Sequence, residues 1–215
     1  MKSLSYKPFK TSIKQSGFTL LEVMMSIFIF TMLAMGAYSL ITSFFSASTK
    51  QNKSLGTDDQ ARKVTSSFVN ELRNANWGND GSYPVNQAGT NQFIFYSTSA
   101  TNNSIINRIR YYTSGNSLYK GVVTPSGAPL VYNIGSEVVT KIQDNLGNGA
   151  NPIFSYYKDT YDGTGTALAQ PINLTQVNFV KISLTLLSTA GNQNTATYTI
   201  TAGASIRNLK TNLGN

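Results

Sequence analysis

Lys14-Gln15-Ser16-Gly17-Phe18-Thr19-Leu20-Leu21-Glu22-Val23-Met24-Met25 opens the run whose reading decides the fold. From Phe18 to Phe45 the chain carries one charged side chain, Glu22. As a helix this run spans about 42 Å at 1.5 Å per residue, against a hydrocarbon core of about 30 Å. It is too long for the apolar part of a secretory signal, about 7–15 residues. Lys2, Lys7, Lys10 and Lys14 precede it with no acid among them. The positive-inside rule therefore predicts a cytoplasmic N-terminus and a C-terminal domain on the other side of the membrane.

Glu22 conflicts with its surroundings. A carboxylate inside a membrane helix costs about 2.5–3.5 kcal/mol at the centre and less near the interface. Two readings follow. In one, the side chain snorkels to the headgroups, since it sits one turn from the start of the run. In the other it has a partner, as intramembrane acids usually do. Lys14 lies eight residues back, beyond one-turn reach. Cleavage between Gly17 and Phe18 would create an α-amine with a pKa of about 8 close to Glu22. An acid in the first turn also suits the positive end of a helix.

The same residues resemble the N-terminal signature of type IV prepilins and type II secretion pseudopilins: a basic leader, Gly17, Phe18, an acid at the fifth position after the glycine, then an apolar helix. The resemblance implies that a membrane prepilin peptidase cuts between Gly17 and Phe18, and that the new Phe18 amine is methylated. It implies that Glu22 pairs with an N-terminal amine, its own or a neighbour's, and so sets the register of assembly. The implied partners are that peptidase and methylase, other pilin or pseudopilin subunits, an inner-membrane assembly platform and the membrane itself. The implied location is the cytoplasmic membrane as a single-pass protein, then a periplasmic or cell-surface filament. Arg110-Tyr111-Tyr112 with Leu118-Tyr119-Lys120, the stretch Phe154–Gly163, and Ala204–Leu209 resemble the J-type minor pseudopilins, with Lys120 where that group usually has Arg. Ser39 stands where many major adhesive pilins carry a helix-kinking proline.

The expected organisation is α+β and pilin-like. It has a basic leader over 1–17, a transmembrane or filament-core helix over 18–45, an amphipathic continuation over 46–76, and an extracytoplasmic head over 77–215. In the head, an antiparallel sheet packs on the C-terminal half of the helix. Leu55, Ala61, Val64, Phe68, Leu72 and Ala75 recur at helical spacing after the first gap. Asp58–Arg62 and Asp59–Lys63 are acid-first i,i+4 pairs. Gly56 is a weak point where the helix could bend or break. Asn76–Gly81 carries turn chemistry. Strands are predicted at 92–97, 107–112, 117–122, 153–157, 177–187 and 196–201. The second and third form one hairpin, and the last two form another across Ala190–Asn194. Ala204–Leu209 is expected as a terminal strand.

Composition excludes several functions. The 215 residues include no cysteine and no histidine, so disulfides and the common Ser–His and Cys–His nucleophiles are absent. No enzyme is expected. The net charge is +8, but the four leader lysines make half of it, and the largest local basic group beyond them is Arg108, Arg110 and Lys120. DNA is therefore a partner the charge pattern does not support. No cofactor is expected. Asp159 with Asp162, or Asp144 with Asn145, could bind Ca²⁺ through oxygens, and the same residues also make hydrogen-bonded turns without metal. Two functions remain: a structural filament subunit, or a tethered head that binds a surface, a sugar or DNA through loop aromatics such as Trp77, Tyr83 and Tyr161.

Overall fold

The computed structural model describes residues 17–98, 104–188 and 196–209; side chains at 50–58, 188 and 196 are not described. The leader lysines, the Ala190–Asn194 turn and the side chains of Leu55 and Asp58 fall outside these residues. The chain divides between Ser48 and Thr49 into two units. The fold is α+β: a long N-terminal apolar helix followed by antiparallel sheet.

Helix α1 spans Leu20–Arg73, with Gly56 inside it. Thr19 precedes it, and its Oγ1 accepts the Glu22 N–H at 3.3 Å. Ser or Thr before a helix with Glu three residues on is the capping-box spacing. Residues 20–49 are long and apolar enough to cross a membrane, and none is buried within the protein. Several of their hydroxyls bond back to the helix, among them Ser26 to the Glu22 carbonyl at 2.7 Å and Thr42 to the Tyr38 carbonyl at 3.0 Å. Polar groups closed on their own backbone leave little for lipid to desolvate.

In the second unit, α1 buries Ala61, Val64, Phe68 and Leu72 on one face. Phe68 is the centre of the core, with the rings of Phe93, Phe95, Tyr111 and Phe154 within 6.2 Å. The exposed face carries the Lys63–Asp59 pair at 2.6 Å. Past Arg73, Ala75 bridges Ser97 and the Asn76 N–H reaches the Tyr96 carbonyl, so the chain joins the sheet directly.

Antiparallel structure is divided between two sheets rather than forming one. The first is a meander of β1 (Val85–Ala88), β2 (Gln92–Thr98), β3 (Ile106–Ser114), β4 (Ser117–Val123) and β5 (Val138–Gln143). The second contains β6 (Phe154–Tyr157), β7 (Phe179–Ser188) and β8 (Ala196–Ser205), in that order. The expected strands are present, and the β3–β4 hairpin closes tighter than expected: Ser114 pairs with Ser117 across Gly115 and Asn116. Gly115 has φ +57°, the left-handed value a two-residue hairpin loop favours. Ala204–Leu209 is not a separate strand. Ala204 and Ser205 finish β8, and Arg207–Leu209 form a 3-10 turn. The sheets are joined by Leu146 bridging Leu186 and by the Tyr156 hydroxyl on the Gly89 carbonyl at 2.7 Å.

Candidate functional site

At the N-terminal end, Gly17 and Phe18 precede α1 and Glu22 lies in its first turn. Phe18 is 79% exposed. A Cβ on Gly17 would meet nothing within 4 Å, so this protein's own packing does not demand glycine there. The Glu22 backbone is held by Thr19, while its carboxylate has no partner among the described residues. Of the capping-box spacing Thr-x-x-Glu, only the Thr19 half is made, the bond from the Glu22 N–H.

A second acid, Glu71, organises the head and has no sequence signal of its own. Tyr111 and Lys120 lie directly opposite each other on β3 and β4. Both reach Glu71 on α1: the Tyr111 hydroxyl donates to Oε2 at 2.8 Å, and the Lys120 ammonium pairs with Oε1. Ser67 adds a bond at 3.2 Å. Burial, then the Glu71 charge, raises the Tyr111 pKa well above its ordinary value. The hairpin residues singled out in the sequence thus fasten helix to sheet.

Arg110 pairs with Glu137 and lies over the Tyr112 ring at 4.0 Å. Arg108 is buried. The local basic group is therefore two neutralised cations and a buried one, a poor phosphate surface.

Of the loop aromatics, Trp77 stands edge-on to Tyr83 at 5.3 Å and is 51% exposed. Tyr161 stacks on Tyr157 at 4.0 Å and leans on Phe179. Asp162 closes its own turn, accepting from the Thr164 N–H and hydroxyl at 2.9 and 2.8 Å. Asp144 accepts from Ser117 and pairs with Lys141 at 3.0 Å. Among the described residues, no three acids converge.

Residues 13–38 match the family model for the prokaryotic N-terminal methylation motif. The matched span includes Gly17, Phe18, Glu22 and the first turns of α1, and it supports the type IV pilin and pseudopilin class. No curated protein matches the chain significantly.

Proposed function

We propose that the chain is a pilin or pseudopilin precursor, cut between Gly17 and Phe18, methylated on the Phe18 amine, and assembled through α1 as a minor subunit of a type IV pilus-like or type II secretion filament. The observation that carries this reading is a coincidence of position. The methylation motif at 13–38 overlies the start of the 30-residue apolar part of α1, which the protein does not bury.

The chemistry follows from Glu22. Its carboxylate is unpartnered in the described chain, and in lipid an unpaired acid and an unpaired amine are both costly. Cleavage supplies the amine. Pairing the two charges between adjacent subunits removes both penalties and defines one axial register. The head then lies outside the cytoplasmic membrane. The Gly17 requirement belongs to the peptidase, whose cleft must admit bare backbone.

Intact mass and N-terminal sequencing of the membrane-purified protein test the reading. A chain starting at Phe18, heavier by about 14 Da for one methyl group, is expected. A start at Met1 in a host that carries the peptidase overturns it. Glu22→Ala should be processed normally yet fail to enter filaments. Incorporation at the wild-type level would remove Glu22 from the register role.

A further inference from the structure

We infer that the head carries a binding pocket for a neutral sugar unit, set between the segment leading into β1 and the connection from β6 to β7. The cavity is about 330 Å³ and is lined by Tyr83, Lys158, Asp159, Gln176, Asn178 and Leu209, with Thr175 at its edge. That lies within the range of small-ligand sites, about 300–1,000 Å³.

What distinguishes this cavity is the state of its polar groups. The Tyr83 hydroxyl, the Lys158 ammonium, the Asp159 carboxylate and the Gln176 and Asn178 amides have no hydrogen-bond or ion-pair partner among the described residues. In two other cavities some or all of the polar groups are committed. In one, the Asn148 amide bonds Ser183 and Thr185 on β7. In the other, Lys63 and Lys120 are paired with Asp59 and Glu71.

The scaffold under the free groups is well held. The Asn178 N–H donates to the Tyr157 carbonyl at 3.0 Å, and its carbonyl accepts from Ile206 at 2.9 Å. Asn173 caps the turn that presents Gln176, accepting from the Thr175 N–H at 3.1 Å. Trp77 braces the Tyr83 ring and leaves half of its own surface open beside it.

The donor set selects the ligand. Two amides and a phenol each both donate and accept, which suits adjacent hydroxyls. One cation beside one anion leaves no net charge for a polyanion. The apolar wall is limited to the Tyr83 ring and Leu209, too little for an acyl chain but suited to the C–H face of a pyranose. This inference does not depend on the filament reading.

The test uses the full chain in a sugar-free detergent and the methyl glycosides of glucose, galactose and N-acetylglucosamine, followed by saturation-transfer NMR. Saturable binding of at least one glycoside is expected. Asp159→Ala and Gln176→Ala, both at exposed positions, should each weaken it by about tenfold, the value of one lost hydrogen bond to a bound ligand. Glu22→Ala should bind like wild type even where it fails to assemble. Failure of all three glycosides to bind saturably, or equal affinity in the two pocket variants, overturns the inference.

Discussion

Glu71 shows how much one side chain can carry. A carboxylate on α1 receives a phenol, an ammonium and a hydroxyl, two of them from a hairpin far along the chain. Hydrogen bonds to charged groups are each worth about 1.5–3 kcal/mol, and the Lys120–Glu71 pair is mostly shielded from solvent. Lys120→Ala should therefore lower head stability by about 1–2 kcal/mol in urea unfolding, while Lys120→Arg should retain most of it. Equal stability of the alanine variant would show that the pair contributes nothing. Tyr111 sets a pH dependence at the same place. Its folded pKa lies above the unfolded value of about 10. The stability it contributes is thus complete below pH about 10 and is lost as pH rises beyond that through the folded value. Tyr156, buried on β6, is shifted in the same direction. Alkaline unfolding should begin above pH about 10, with Tyr111 and Tyr156 titrating late in tyrosinate absorbance. Full tyrosine ionisation before any loss of fold would contradict this. None of it was readable from Glu71 itself, because its partners are 40 and 49 residues away.

At the level of elements, legibility followed burial. β7 was the plainest strand in the sequence because Val180, Ile182, Leu184 and Leu186 all point into the core while their neighbours do not. β5 has strand-like composition, yet Val138 and Val139 are both exposed, so no alternation marks it. β1 has four residues and a register irregularity. Packing between elements can also demand a glycine that local pattern does not announce. A Cβ on Gly203 of β8 would sit 2.6 Å from the Phe179 ring and 3.0 Å from the Val180 carbonyl. Gly203→Val should lower the thermal midpoint of the head, at a cost of about 1–3 kcal/mol for overpacking. An unchanged midpoint would mean that Phe179 swings aside without penalty. On α1, Phe68→Ala should cost about 3–5 kcal/mol, since the ring is fully buried among four others.

For the whole molecule, the two units carry separate functions under the proposed reading. Recognition by the peptidase draws on residues 13–38, and head stability draws on residues beyond Ser48. A head variant such as Phe68→Ala should melt earlier yet still be cut at Gly17–Phe18, as mass spectrometry of the membrane fraction would report. Conversely, Gly17→Val should block cutting and leave the thermal midpoint unchanged, because a side chain there meets nothing. If loss of the head fold abolishes cutting, the units are not independent in this respect. The amino-acid sequence by itself determined the apolar helix, the place of Glu22 within it, the amphipathic face that follows, and the strands with one buried face. Those depend on local spacing and on the transfer energy of single side chains, which do not require knowledge of distant residues. Only the tertiary structure decided that the strands divide into two sheets, that Tyr111 and Lys120 meet on Glu71, and that five polar groups without a partner among the described residues surround one cavity. Those depend on which strands pair and in what register, and contacts between residues dozens of positions apart arise from packing the whole head around Phe68.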